Sequence, residues 1–335
     1  MTDVSWSECG GEDCLRLVGV DPDARVHVHA GAAGSHAWPT GGGMAGRLVR
    51  DGADVCFMPR FAFVDGTSYA VLVDGVEKAT LVRPRPDRVA TAEVVEIRPT
   101  ATEVPRNLLR FYVQFSVPMS DGSAARHVRL VDDGGEVLAG ALLPTEYELW
   151  DSDRRRLTVL LDPARIKRGL VPHREAGYPL RAGSTFRVVV GNGFRDARGD
   201  PLRAGAERRY HVGGDERRRV DPDGWALTIP ASDTLDPIRV EFGRPLDHGL
   251  LGRCLRVVGP GGRVVEGGAV IGAGERSWRL TPRAPWSSRP HRLVVDPALE
   301  DVAGNSVRRV FDRDLARPED DPRDDGPVVL TFHPG

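Results

Sequence analysis

Five segments, LRFYVQF (109–115), LTVLL (157–161), FRVVV (186–190), IRVEF (238–242) and HRLVV (291–295), place apolar and polar or outward positions in alternation. A period of two puts successive side chains on opposite faces of an extended strand, so each segment predicts a half-buried β-strand. Gly, Pro and Asp clusters separate the segments at roughly 8–15 residue intervals, the spacing of antiparallel hairpins in a sandwich. Helical patterning is brief. DHGLLGRCL after Pro245 predicts one or two turns, and PARIKRG after Asp162 predicts one. The pattern is that of an all-β chain of antiparallel β-sandwiches with few short helical turns.

The pattern also repeats. Residues 111–140 and 238–267 align without a gap at an offset of 127, matching Phe115 with Phe242, Pro118 with Pro245, Met119 with Leu246, and Arg129 with Arg256. Gly134, Gly135 and Gly140 match Gly261, Gly262 and Gly267 in the same register. Downstream the offset is 105, where Asp196, Gly199, Asp200 and Leu202 meet Asp301, Gly304, Asn305 and Val307. The difference, 127 − 105 = 22 residues, is an insertion in the first of these copies, within residues 143–183. A fainter copy lies in front: CLRLVG (14–19) echoes CLRVVG (254–259), and Pro59 and Arg60 echo Pro282 and Arg283. That copy lacks the opening Phe-x-x-Pro strand, which predicts a degenerate domain. The unassigned strand VVLTF (328–332) at the far end is then a candidate to complete it. The expected organisation is a degenerate β domain over 1–90, a sandwich with the long insertion over 91–216, and a sandwich with an acidic linker and C-terminal strand over 217–335. Linkers are expected at 82–93 and 213–225.

Phe-x-x-Pro-Met/Leu, a Gly-Gly hairpin, an apolar strand and a closing Asp-x-x-Gly-Asn/Asp-x-Leu/Val together resemble bacterial Ig-like domains of the SbsA type, named for a surface-layer protein. The resemblance covers residues 94–312 in two copies and 10–80 weakly in one. It implies tandem Ig-like sandwiches used as modules of exported or cell-surface proteins, and it brings no catalytic residues with it.

Composition sharpens this in a few places. With 39 Gly and 26 Pro the chain is rich in turns, and 46 basic against 48 acidic residues leave a net charge of −2, too little for a nucleic-acid field. RRR at 154–156 and 217–219 lies beside acids and reads as solvated hairpin or linker charge, so no nucleic-acid partner is expected. No run approaches the ~18 apolar residues of a membrane-spanning helix. MTDVSWSECGGEDCLRLVGV has neither a basic stretch nor an apolar core of a signal peptide. The expected location is cytoplasmic, or the cell surface if translation starts upstream.

Candidate chemistry is sparse. The Asp-x-x-Gly-Asn/Asp phrase offers oxygens to calcium, but too few for six to eight ligands. It reads instead as a turn whose Asp accepts backbone N–H groups and whose Gly takes positive φ. His27 and His29 fall on one face of a strand and, with His36, are weak candidates for copper or zinc. Cys9, Cys14, Cys56 and Cys254 are too scattered for a disulfide framework, and Val55 and Phe57 put Cys56 on the opposite face of its strand, so free thiols are expected. No nucleophile elbow, zinc-protease helix or phosphate loop occurs, so neither an enzyme nor a bound cofactor is expected. Function is expected in the insertion. Trp150, Lys167, Arg168, His173 and Glu175 are its candidate contacts for a protein partner or a glycan, with capping of the sandwich by Trp150 as the structural reading.

Overall fold

The computed structural model describes residues 3–31, 43–84, 89–145, 147–313 and 326–335. The chain forms two compact units, 1–89 and 90–335. No helix among the described residues is long and apolar enough to cross a membrane.

The first unit holds β1 (Asp3–Cys9), β2 (Glu12–Val18), β3 (Val26–Gly31), β4 (Gly46–Asp51), β5 (Asp54–Pro59), β6 (Ser68–Val73) and β7 (Val76–Val82). They form a four-stranded sheet in the order β1-β2-β5-β4 and a three-stranded sheet β3-β6-β7. β1 and β2 turn through Gly10 and Gly11, both at positive φ (63° and 83°), as a tight hairpin requires. Leu15, Leu17, Val28, Phe57, Tyr69 and Val71 fill the space between the sheets. No Phe-x-x-Pro strand opens this unit: Asp3–Cys9 pairs with β2 as a hairpin, and the core, expected to need a strand from elsewhere, closes from within residues 3–82.

The second unit contains two sandwiches. The first has β8 (Val94–Arg98), β9 (Glu103–Pro105), β10 (Arg110–Phe115), α1 (Ala124–His127), β11 (Val128–Asp132), β12 (Leu149–Trp150) and β13 (Arg156–Leu160), followed by α2 (Pro163–Ile166), α3 (Val171–Ala176), β14 (Thr185–Val190) and β15 (Ala206–Gly213). Its sheets run β12-β13-β10-β8 and β11-β14-β15-β9. The second has β16 (Ala226–Thr228), β17 (Ile238–Glu241), α4 (His248–Cys254), β18 (Leu255–Val258), β19 (Gly267–Ile271), β20 (Ser277–Pro282), β21 (His291–Val295) and β22 (Val328–Phe332), in sheets β16-β17-β20-β19 and β18-β21-β22. The fold is all-β, a series of Ig-like sandwiches. Phe186, Val188 and Val190 of β14, and Trp278 and Leu280 of β20, turn inward at alternate positions, as the period of two dictates.

The two long-range motifs of the repeat meet in space. In the first sandwich Met119 bridges Asp196, and in the second Leu246 bridges Asp301, so the Pro-Met/Leu phrase and the Asp turn are two halves of one closure. The turn reading holds in detail. Asp196 Oδ1 accepts the N–H of Arg198 and of Asp200 at 2.9 Å each, and Asp301 Oδ1 accepts those of Ala303 and Asn305 at 2.9 Å each. The expected helical turns are α4, capped by Asp247, and α2, capped by Asp162.

Two further expectations are corrected. The tail does not complete the first unit: β22 pairs antiparallel with β21, from His291 opposite Phe332 to Val295 opposite Val328. It occupies the place that β15 takes beside β14 in the other sandwich. Phe332 is buried against Trp286 and His291, which fixes the strand by apolar packing as well as by its ladder. Residues 213–225 are not a free linker. Val220 is buried in the core of the second sandwich, and Arg217 pairs with Asp215 and Asp312 rather than with water.

Candidate functional site

The most built feature of the second unit is the junction between its two sandwiches. β10 shows why it forms. Phe111, Val113 and Phe115 point into their own core, yet Tyr112 on the opposite face is also buried, because the second sandwich covers it. The Tyr112 hydroxyl donates to the Asp247 carboxylate at 2.7 and 2.8 Å. The same carboxylate caps α4 by accepting the Leu250 N–H at 2.9 Å and lies 3.0 Å from Arg110 Nε. A Cβ at Gly249 would stand 2.8 Å from the Tyr112 hydroxyl, so glycine there lets the helix approach β10.

Glu275 forms a second anchor. Its fully buried carboxylate accepts the Thr100 N–H at 2.6 Å and the Thr100 hydroxyl at 3.1 Å, and pairs with Arg98 at 3.2 Å. Burial raises its carboxyl above the ordinary range against the pull of those donors. His248, 3.7 Å from it, is lowered to about 4, first by burial and then by the nearby Arg98 and Arg156. The imidazole is therefore neutral at neutral pH.

The third anchor is the turn LEDVAGNSV itself. Residues 301–307 are all buried, and Val302 packs in the core of the first sandwich. Leu109 N–H donates to Val302 O at 3.0 Å. Asn305 Nδ2 donates to Glu216 O at 2.9 Å, and Asn107 exchanges two hydrogen bonds with Glu216 at 2.8 and 2.9 Å. Asp301 pairs with Arg244 at 3.0 Å, and burial pushes its carboxyl up to about 6 against Arg244 and the turn's own N–H donors.

The insertion is locked by one side chain. Arg165 donates to the carbonyl oxygens of Gly140, Gly177, Tyr178 and Ala176 at 2.8, 3.1, 2.9 and 3.2 Å, filling the donor fork with backbone acceptors. The structure disperses the five expected contact residues. Trp150 is half-buried against Phe115 and Phe194, with its Nε1 donating to Glu148 at 2.8 Å. His173 Nδ1 binds Arg165 O at 2.5 Å, and its ring meets Tyr178 edge-on. Lys167 lies over the Phe311 ring at 4.6 Å, and Arg168 pairs with Asp312 at 2.9 Å, so both hold the segment that follows the last Asp turn. Glu175 is exposed. Of the apolar residues expected to need cover, Ile166 is fully buried, while Leu149 and Leu170 stay exposed.

Beside the insertion runs a groove of about 530 Å³ along α1 and β13, with Ala125, Val128, Leu143, Leu149, Leu157 and Val159 in its walls and Glu148 at its edge. Glu148 also accepts the Ala124 N–H, which ties the groove's floor to α1. The sequence singled out Trp150 and passed over this groove, because its apolar walls are spread over four segments.

In the first unit the rings of His27 and His29 lie 6.5 Å apart, and His36 falls outside the described residues. All four cysteines are free thiols. Among the described residues, Cys9, Cys14 and Cys56 form a group whose sulfur atoms lie within 4.8 Å of one another. Sequence spacing gave no sign of that convergence.

No family model matches the chain, and no curated protein matches it. Among solved structures it is similar to native α-2-macroglobulin from Escherichia coli, at 10% identity and a TM-score of 0.24 over 62% of this chain and 67% of that one. It is similar to FdeC, an Escherichia coli adhesin, at 11% identity and a TM-score of 0.19 over 98% and 96% of the two chains. A three-Ig segment of titin matches at 8% identity and a TM-score of 0.20 over 99% and 92%.

Proposed function

We propose that the chain is a non-catalytic structural and protein-interaction protein, in which residues 90–335 act as a stiff two-sandwich spacer that presents loops and open sheet edges. The observation that carries this reading is the junction. Asp247, Glu275 and Asp301 are carboxylates with 1% exposure or less, and each is held by partners that span the two sandwiches or seal the turn between them. A hydrogen bond to a charged group is worth about 1.5–3 kcal/mol. A hinge opening would break such bonds at Asp247 and Glu275, whose partners Tyr112, Thr100 and Arg98 belong to the other sandwich. Interaction would run through edges such as β19, whose Val270 is exposed. The SbsA-type resemblance supports use as a module, and three free thiols in mutual contact support a reducing, cytoplasmic setting.

Forced unfolding of the full chain by optical tweezers tests the reading. The two sandwiches should open in one cooperative event, which Glu275→Ala splits into two. Two separate events in the wild-type chain would sink it. The groove beside β13 favours a second reading, a small-ligand or carbohydrate binder, because it is apolar with one carboxylate at its edge. Saturable binding on a glycan array or of an apolar fluorescent dye, abolished by Leu149→Arg, would favour that reading over the first.

A further inference from the structure

The outer face of the first unit's larger sheet carries chemistry that the spacer reading does not use. β5 is buried at four consecutive positions, Val55 to Met58. Phe57 faces the core and Val55, buried opposite Leu17, shares its face, whereas Cys56 and Met58 face the other way, where they join Cys14 in a separate buried cluster against which Cys9 packs. Three adjacent strands, β1, β2 and β5, thus deliver one thiol each. Cys9 Sγ donates to Cys56 Sγ at 2.8 Å, and Cys14 Sγ donates to Cys9 Sγ at 3.0 Å.

Register argues against a disulfide as the purpose of this group. Cys9 faces Glu12, Cys14 faces Ser7, and Cys56 faces Arg16 and Val49, so no two of the three are directly opposed. Cys9 and Cys14, and Cys14 and Cys56, are diagonal neighbours, a placement with Cα atoms roughly 7–8 Å apart, beyond the usual disulfide span of about 4.4–6.8 Å, while Cys9 and Cys56 lie on strands that flank β2 and do not pair with each other. A disulfide would also use two sulfurs and strand the third. A single ion uses all three: metal–sulfur bonds of about 2.3 Å place the sulfurs of a trigonal set about 4 Å apart. The observed contacts need to open by only about 1 Å to reach that spacing.

We propose that Cys9, Cys14 and Cys56 form a binding site for a thiophilic monovalent cation, represented by Cu(I), with the Met58 thioether beside them. The ligand set decides the metal. Thiolate and thioether donors select Cu(I), whereas structural zinc closes its tetrahedron with a fourth Cys or a His. Among the described residues no His, Asp or Glu joins the three sulfurs. Glu12 stands opposite Cys9 in the ladder without joining the group, and Asp51 and Asp54 are taken by Arg16. Arg16 sits opposite Cys56, and its guanidinium favours the Cys56 thiolate electrostatically. Burial pushes the Cys14 and Cys56 thiols up, so the free group stays protonated until a metal displaces the protons. The step balances without oxidation: Cu(I) and three thiols give a dianionic trithiolate complex and three protons, each sulfur donating one electron pair to the metal. Binding therefore tightens as pH rises.

The test is an anaerobic titration of the reduced full chain with Cu(I), competed by bicinchoninate. One Cu(I) should bind, with an X-ray absorption spectrum showing sulfur alone in its inner shell. Cys56→Ser and Cys9→Ala should each weaken binding by more than the roughly 10–100-fold that outer-shell changes cost. Cys254→Ser, in the last sandwich and outside the group of three sulfurs, should bind as wild type does. Cys9 is only partly buried, so its variant keeps the measurement interpretable if Cys56→Ser fails to fold. Equal Cu(I) affinity in Cys9→Ala and wild type would overturn the site, as would tighter binding of Zn(II) than of Cu(I). A reduced chain that binds no Cu(I) but forms a Cys9–Cys56 disulfide in air would overturn it in favour of a redox pair.

Discussion

The two Asp turns, 196–200 and 301–305, share a backbone and differ in what surrounds them. Both start with an Asp that accepts two N–H groups, and both turn on a glycine at positive φ, 86° at Gly199 and 82° at Gly304. A Cβ on Gly199 would meet nothing within 4 Å, whereas one on Gly304 would stand 2.5 Å from Leu109 Cδ2 and 3.2 Å from Phe311. Arg198 is exposed, and its counterpart Ala303 is fully buried. The same phrase ends one sandwich at the surface and plugs another sandwich's core. Local hydrogen bonding makes the turn, and neighbours decide whether it is also an interface.

The largest effect that tests this contrast is Gly304→Ala against Gly199→Ala. Both lose about 1–2 kcal/mol to the left-handed backbone, and only Gly304→Ala adds about 1–3 kcal/mol of overpacking against Leu109. Urea denaturation of the two variants measures the gap, and equal losses would erase the distinction between the turns. Next is Tyr112→Phe, which removes a buried hydroxyl donated to the Asp247 carboxylate at the junction. A loss of about 1.5–3 kcal/mol is expected, since the bond is to a charged group. A loss below about 0.5 kcal/mol would show that Arg110 and the Leu250 N–H suffice for that carboxylate.

A pH-selective effect follows from Asp301. Its folded pKa, about 6, exceeds the reference value of 3.8, so its contribution is present in full below pH 3.8 and is lost as pH rises through 6. Arg244→Met removes the opposing cation and raises the carboxyl further, so the variant should keep losing stability above about pH 7, where wild type levels off. Parallel melting curves across that range would mean that Arg244 does not oppose the desolvation of Asp301. Asp215 works the other way. Burial raises it, but Arg106 and Arg217 outweigh burial and bring it to about 2, so its contribution is present above pH 3.8 and is lost as pH falls through 2. The smallest effect belongs to Arg198→Ala in the exposed turn, within about 0.5 kcal/mol of wild type by chemical denaturation.

Much of the fold was legible because its determinants are local. Alternation placed the strands around Phe111, Phe186, Ile238 and Leu293, and the Asp turns followed from Asp and Gly chemistry. The offset of 127 matched Met119 with Leu246, and the structure gives both the same bridge to an Asp turn. The interface role of Val302 left only a faint trace, an apolar VA where the other copy has AR. The tail was misassigned because β15 follows its turn after a few residues, while β22 follows its own after more than twenty. Distance along the chain hid an equivalent place in the sheet. In the insertion, residue type marked Trp150, Lys167, Arg168, His173 and Glu175 as contacts. Packing assigned Trp150 to an aromatic cluster, and Lys167 and Arg168 to the junction.

The sequence alone determined strand positions, turn geometry and the duplication, because backbone sterics and apolar alternation act over a few residues. Tertiary structure decided the rest. Register across β1, β2 and β5 brought Cys9, Cys14 and Cys56 together, and the docking of one sandwich on another buried Asp247, Glu275 and Asp301. Those groupings join residues far apart in sequence, Arg98 and Glu275 by 177 positions, and contacts of that kind depend on how faces meet in space rather than on any local period.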